Sequence, residues 1–324
     1  MHPTQHPPVG ADSIRQAHRR IAKMIQRSPC RRCHSLSEMT GGEVYLKLEN
    51  LQHSGSFKLR GVLNRLLSLS RAQKASELVA ASTGNHGAAF SHALIELGLK
   101  GKLFLPTNAA AAKLDAIEAS GVPFELYGDD CVETESHAHE YAQRRGGTWV
   151  SPYNDPDVVA GQGTVAIEIL EQVEAAETIL APVGGGGLAG GIGAYVKAIS
   201  PRVRVVGCQP SNSPVMFESV KAGRIVEYDS LPTLSDATAG GIEPGSITFE
   251  LCRRHVDEYI LLTEHDIAGA IRHMVEAEEM VVEGGAALPV AAILKEPARF
   301  AKCTVVLVIT GSKIDEAVLQ EVLE

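Results

Sequence analysis

This chain has no excess of basic residues. Its 30 Lys and Arg stand against 39 Asp and Glu, a net charge of -9, which leaves no electrostatic footprint for nucleic acid or anionic lipid. No apolar run approaches the ~20 residues of a membrane span. The first residues, Met1-His2-Pro3-Thr4-Gln5-His6-Pro7-Pro8, do not follow the basic-then-apolar order of a secretion signal. Cysteines are few: Cys30, Cys33, Cys131, Cys208, Cys252 and Cys303 are mostly isolated, which fits reduced thiols rather than a disulfide framework. No repeat of fixed period and no low-complexity segment is evident beyond residues 109–112. These absences set the expectation of a soluble cytoplasmic protein with small-molecule partners, no nucleic acid and no membrane.

What is present is the material of a large globular chain. The 324 residues, 44% hydrophobic and 21% charged, exceed one typical domain of ~100–200 residues and suit two lobes. Ile14, Ala17, Ile21, Met24 and Ile25 recur at helical spacing behind a capping Asp12, predicting a helix over 12–26. Residues 43–49 alternate as a strand and deliver the chain to a small-residue turn around Lys58, followed by a helix over 59–69. Strand, glycine-bearing turn and helix then recur at 78–81, 82–87 and 88–97. Strands 102–105 and 123–127 are followed by helices 109–119 and 132–144. After residues 160–164 a helix runs to about 172, and an apolar strand over 178–183 ends in four glycines. Strands 203–206, 259–262 and 304–309 alternate with a helix over 213–221 and helices starting at 264 and 284. Such alternation implies crossover units and a parallel sheet, hence an α/β fold. A small α/β domain is expected over 80–153 and a large domain over 1–79 plus 154–324.

Four stretches carry chemistry. In Ser54-Gly55-Ser56-Phe57-Lys58-Leu59-Arg60-Gly61 a lysine sits in a small-residue turn, and a lysine whose neighbours lower its pKa forms a Schiff base with an aldehyde. Gly184-Gly185-Gly186-Gly187-Leu188-Ala189-Gly190-Gly191 lies between an apolar strand and a helix, where backbone N–H groups and the helix dipole hold an anion. It also contains G-x-G-x-x-G, but the next strand ends in Gly207-Cys208-Gln209-Pro210 without the acid that a dinucleotide ribose wants; a single phosphate suits it better. Ser82-Thr83-Gly84-Asn85-His86-Gly87 is a second anion-friendly turn at a strand-to-helix junction, where the plain reading is a helix capped by Ser82 or Thr83. Thr310-Gly311-Ser312 ends the last apolar strand, the edge where open parallel sheets bind ligands. A fifth stretch, Cys30-Arg31-Arg32-Cys33-His34, has the spacing of haem attachment or a redox dithiol, but it lies between a helix and Ser35-Leu36-Ser37 and reads as a loop.

Lysine turn, phosphate cup, anion turn and terminal hydroxyl have one economical explanation: an aldehyde cofactor with a phosphate and a pyridine nitrogen. Over residues 14–313 the chain resembles the fold type II pyridoxal-phosphate enzymes of the threonine dehydratase and serine racemase group, tryptophan synthase β-like in fold. Lys47-Leu48-Glu49-Asn50, Gly55-Ser56-Phe57-Lys58-Leu59-Arg60-Gly61, and residues 82–87, 160–164 and 184–187 resemble that family's motifs in the same order. The resemblance implies two open, twisted, parallel-rich sheets with helices on both faces, pyridoxal 5'-phosphate as cofactor held by the large domain, and a homodimer. It implies Lys58 as the Schiff-base lysine, Phe57 against the cofactor ring and Asn85 at the phenolic oxygen. It places Gly184, Gly185, Gly186, Gly187 and Leu188 around the phosphate and Thr310 at the pyridine nitrogen. Ser82, Thr83, Gly84, Asn85 and His86 become the substrate-carboxylate loop. A neutral Thr310 does not hold the ring nitrogen protonated as a carboxylate would, which favours expulsion of a β-substituent. The implied reaction is β-elimination: the freed Lys58 amine removes the Cα proton, the β-hydroxyl leaves as water, and L-threonine or L-serine ends as a 2-keto acid and ammonia.

The chain also departs from those relatives. Metal-binding members carry a glutamate and an aspartate where this chain has Gln209 and Val215, which lack two hard anionic oxygens, so no divalent cation is expected there. Serine racemases use a serine hydroxyl opposite the lysine, at the position of Thr83, so Thr83 is a candidate catalytic residue for racemisation. No regulatory domain is expected beyond Lys313. Residues 81–87 and 231–241 resemble the dehydratases found with hydroxyectoine degradation, which adds 3-hydroxyaspartate and a hydroxylated diaminobutyrate derivative to the candidate substrates.

Overall fold

The computed structural model of the chain describes residues 9–109, 111–129 and 131–324; residues 1–8 and the side chain of Cys131 lie outside the described part. Among the described residues ten strands form two sheets. The strands are β1 (Cys30–Arg32), β2 (Glu43–Leu48), β3 (Leu78–Ala81), β4 (Gly101–Leu105), β5 (Phe124–Leu126), β6 (Thr148–Trp149), β7 (Thr178–Pro182), β8 (Arg204–Pro210), β9 (Glu258–Leu262) and β10 (Thr304–Ile309). The larger sheet runs β1-β2-β10-β7-β8-β9 and the smaller β5-β4-β3-β6. Every pairing is parallel except that of β1 with β2.

Period-two burial explains the layering. In β10, Val306 and Val308 enter the core beneath the helices Pro156–Gln172 and Gly187–Ile199. Val305, Leu307 and Ile309 enter the opposite core with the helices Glu264–Glu278 and Gly284–Lys295. The small sheet repeats the scheme: Leu78 and Ala80 pack toward the helix Asn85–Leu97, Val79 and Ala81 toward the helix Cys131–Arg145. Both faces of both sheets are therefore covered, which is why the strands read as near-continuous apolar runs. Strand β3 starts at Leu78, so the small sheet takes in Leu78 and Val79, ahead of the expected division between 79 and 80. No helix among the described residues is long and apolar enough to cross a membrane.

Two local readings of the sequence are corrected. Cys30–Arg32 is not a loop but an edge strand, paired antiparallel with Tyr45, Leu46 and Lys47; three residues are too few to show a period. Cys30 and Cys33 are free thiols that burial pushes up to about 11, the opposite of a reactive dithiol. Residues 160–164 do not precede a helix but lie inside one, Pro156–Gln172, which starts where Asp155 Oδ1 accepts from the N–H groups of Asp157 and Val158 at 2.8 and 3.0 Å. Gly161 serves close approach. A Cβ on Gly161 would lie 2.5 Å from Arg60 O and 2.6 Å from Gly61 Cα, so this helix can seat against the helix Lys58–Ser68.

That seat is reinforced by a buried charge cluster. Arg60 Nε and Nη2 each donate to Glu49 at 2.7 Å, and its Nη1 and Nη2 donate to Glu168 at 2.7 and 2.8 Å. Lys47 Nζ reaches Glu168 at 2.6 Å. None of the four side chains is more than 1% exposed. Burial works against the charges, yet the paired groups override it: the Arg60 pKa rises and that of Glu168 falls. β2, the turn after it, and both helices are thus bolted together directly behind Lys58.

Candidate active site

Lys58 is the first residue of the helix Lys58–Ser68, held where the two sheets meet. Ser56 bridges to Gly311, and Phe57 N donates to Thr310 O at 3.1 Å. The lysine turn is thereby docked on the carboxyl end of β10. Around it opens a cavity of about 790 Å³ lined by every site residue expected from the sequence: Phe57, Lys58, Ser82, Thr83, Gly84, Asn85, His86, Gly184 to Gly187, Leu188 and Thr310. They follow the carboxyl ends of β2, β3, β7 and β10, where parallel sheets leave their turns open.

Lys58 Nζ donates to Pro152 O at 2.9 Å and lies 5.4 Å from the centre of the Phe57 ring. Desolvation lowers its pKa to about 8, with Glu135 and Glu283 acting in the opposite sense. An ordinary lysine amine is neutral only well above pH 10; this one is half neutral near pH 8.

The glycine run forms a bare cradle. Gly186 has φ +83° and caps the helix Gly187–Ile199. A Cβ on Gly185 would stand 2.5 Å from the Tyr153 ring, and one on Gly184 would stand 2.9 Å from Thr238 Cα. Only backbone N–H groups and the positive end of the helix face the cavity here, an arrangement that suits a phosphate.

At the second turn Gly84, rather than Ser82 or Thr83, caps the helix Asn85–Leu97, while Ser82 Oγ accepts from Gly84 N at 3.1 Å. His86 Nε2 lies 3.0 Å from Val150 O, which makes that nitrogen the donor and leaves buried Nδ1 without a partner. Burial, with Lys58 next, pushes the His86 pKa down to about 3. The ring is neutral, so His86 brings no charge to this turn. Gln209 Oε1 accepts from Phe217 N at 2.8 Å and Val215 sits in the apolar core; among the described residues no three His, Cys, Asp or Glu side chains are grouped to hold a metal.

Three cavity residues escape the motifs. Glu283 accepts from Asn85 Nδ2 at 2.7 Å and from Thr310 Oγ1 at 3.4 Å. Its one sequence signal is a lone carboxylate between Val282 and Gly284. Glu135 lines the wall beside Lys58 with no protein hydrogen bond among the described residues; burial and the Glu243 carboxylate push it up to about 7. Nothing distinguishes it from the other charges of its helix. Tyr153 backs the glycine cradle, and its hydroxyl accepts from Glu243 N at 2.9 Å.

The family described as pyridoxal-phosphate dependent enzyme matches this chain over residues 21–311. The chain belongs to that family. An L-threonine ammonia-lyase of Thermotoga maritima is 37% identical over 97% of this chain and 78% of its own length. The catabolic L-threonine dehydratase TdcB of Escherichia coli is 36% identical over 97% of this chain and 96% of its own. Maize serine racemase superposes with a TM-score of 0.91 at 29% identity, covering 97% of this chain and 96% of its own. This pyridoxal-phosphate enzyme has the fold of that group, with two mostly parallel sheets packed between helices.

The residues present fit the cofactor. A low-pKa amine answers an aldehyde, a side-chain-free cradle answers a phosphate, and the buried Asn85 Oδ1 has no protein partner. One expectation concerns loading. Cofactor added to the apo-enzyme should be captured faster as pH rises from 6 to about 8 and little faster above it, because the neutral fraction of Lys58 saturates there. Stopped-flow absorbance in the imine band measures this; a rate that still climbs tenfold per unit above pH 9 would point to an ordinary lysine.

Proposed function

We propose that the enzyme eliminates water from a β-hydroxy amino acid such as L-threonine or L-serine, releasing a 2-keto acid and ammonia. The observation that carries this reading is the convergence of the Lys58 amine, titrating near pH 8, and the Gly184–Gly187 cradle on one cavity. When bound, pyridoxal phosphate supplies an electron sink for charge developing at the substrate Cα. Lys58 holds the amine that takes the Cα proton, and its pKa near 8 keeps it competent as a base at neutral pH. The cradle and its helix end hold the phosphate, and Phe57 flanks the ring. Backbone N–H groups of residues 82–86, at the start of the helix Asn85–Leu97, hold the substrate carboxylate. Thr310, a neutral hydroxyl, faces the pyridine nitrogen. Residues 80–153 and the remainder act as two lobes that enclose the substrate between them.

A screen of β-hydroxy amino acids for keto-acid release tests the proposal; no release from any of them would sink it. The racemase reading has support in Thr83 on the cavity wall and in the likeness to maize serine racemase. Measuring keto acid and D-amino acid from the same L-substrate separates the two activities.

Glu135 bears on the substrate side chain. Held up to about 7, Glu135 is partly ionised at neutral pH and, with Glu243 beside it, gives this end of the cavity partial negative character. That repels the second carboxylate of 3-hydroxyaspartate and attracts a side chain bearing an amine, as in a hydroxylated diaminobutyrate. A charge-assisted hydrogen bond of this kind contributes about 1.5–3 kcal/mol, roughly 10- to 100-fold in kcat/KM. Glu135→Gln is therefore expected to lower the ratio of kcat/KM for a β-hydroxy diamino acid over L-threonine by that factor. An unchanged ratio would remove Glu135 from substrate choice.

A further inference from the structure

The glycine cradle is backed by a segment without charge: no residue from 209 to 217 is acidic or basic. Strand β8 ends in Gln209 and Pro210, and the helix Val215–Ala222 follows, with Pro214 at its N-cap and no side-chain cap of its own. Gln209, 1% exposed, supplies one from the strand: its Oε1 accepts from Phe217 N at 2.8 Å. An orphan N–H of the first turn is thereby satisfied. That capped turn packs under the cradle, since a Cβ on Gly186 would lie 2.7 Å from Met216 Cε. Ser213 makes a second tie. It is wholly buried, its Oγ accepts from Gly240 N at 3.2 Å, and it shares a hydrogen bond of 2.7 Å with Ser230 Oγ. Gly240 belongs to the cavity wall formed by residues 236–241, and Thr238 Cα in that wall would lie 2.9 Å from a Cβ on Gly184. Asn212 fastens the same loop, accepting at its carbonyl from Leu231 N at 2.9 Å and donating from Nδ2 to Pro232 O at 2.7 Å. In each of these bonds the acceptor is neutral.

We infer that Gln209 and Ser213 are positioning residues for the glycine cradle, and that they hold it in place without a divalent cation. Where metal-binding relatives carry a glutamate and an aspartate, Gln209 and Val215 do not fit such an ion. A hard divalent cation gathers about six oxygens, carboxylates among them. Residues 209–217 contain no carboxylate, the side-chain oxygen of Gln209 is engaged by Phe217 N, and Val215, 2% exposed, lies in the apolar core. The clasp works through geometry rather than charge. An amide oxygen fixes the start of the helix that meets Gly186, and a hydroxyl fixes the wall that meets Gly184.

The inference rests on the seat for the cofactor phosphate proposed above at Gly184–Gly187. The test titrates the full-length apo-enzyme with pyridoxal phosphate, reading Kd from the imine band, and records the melting temperature, each with magnesium chloride or with a chelator present. The wild type is expected to give the same Kd and the same melting temperature in both. Gln209→Met, which keeps the length of the side chain but not its acceptor, should weaken the Kd by roughly 3- to 10-fold, as should Ser213→Ala. Gln209→Glu, whose carboxylate also accepts from Phe217 N, should return the wild-type Kd. A merely structural residue would lower the melting temperature and leave the Kd of the folded enzyme alone. If Gln209→Met does not fold, Ser213→Ala decides. Magnesium that raises the wild-type melting temperature or tightens its Kd, reversed by the chelator, overturns the inference. So does a wild-type Kd in both Gln209→Met and Ser213→Ala, or a Gln209→Glu enzyme as weak as Gln209→Met. A wild type that forms no imine band at all instead defeats the phosphate seat on which the inference rests.

Discussion

Replacing Lys58 with alanine is expected to lower keto-acid release by on the order of 10⁴-fold or more, since it removes both the imine-forming amine and the base. The imine absorbance should vanish with it. The fold should survive. Lys58 titrates near pH 8 rather than 10.5, so the folded state disfavours its charge; that cost is fully present below pH 8 and disappears as pH rises from 8 to 10.5. At pH 7 the variant therefore sheds a net cost: it loses the hydrogen bond to Pro152 O and the attraction of Glu135 and Glu283, which burial of the charge outweighs. Keto-acid formation in a fully folded Lys58→Ala enzyme within tenfold of the wild-type rate would refute the assignment of the reactive amine.

The second large effect is on stability. Arg60→Met leaves Glu49 and Glu168 facing each other in a dry interior with Lys47 as the remaining cation. Removing one partner of such a buried network costs about 3–5 kcal/mol, against a total stability of roughly 5–15 kcal/mol. Arg60→Lys should recover little, because an ammonium does not fork to two carboxylates. Denaturant melts at pH 7 measure this, and a loss under about 1 kcal/mol would show that the cluster tolerates the gap. The contribution is also pH-dependent in a fixed sense. Glu168 is held below its ordinary value of 4.5, so its stabilisation is present above that pH and lost as pH falls through the lowered value.

The turns that make the cavity were legible because each couples local backbone chemistry to a strand end. Glycines at 184–187, a lysine after small residues, and a hydroxyl after an apolar strand each announce themselves within a few residues. Glu283 and Glu135 did not, because their significance is purely spatial: one meets Asn85 and Thr310 across the fold, the other meets Lys58 from a charge-rich helix. The glycines of residues 160–164 misled for a related reason. Glycine signals either a turn or a close approach of two backbones, and only the position of Arg60 and Gly61 decides between them. Strand β1 was hidden by its length.

The position of β10 also bears on how the protein is made. It lies between β2 and β7 in the larger sheet, yet it is the last strand in the chain. On a ribosome, β2 emerges early and has its inner neighbour only when almost the whole polypeptide has been synthesised. The smaller sheet draws all its strands from one contiguous stretch, Leu78 to Trp149, and can assemble while translation continues. A nascent chain would therefore carry an organised smaller sheet beside a larger one whose apolar strands stay unclosed until Ile309 has emerged.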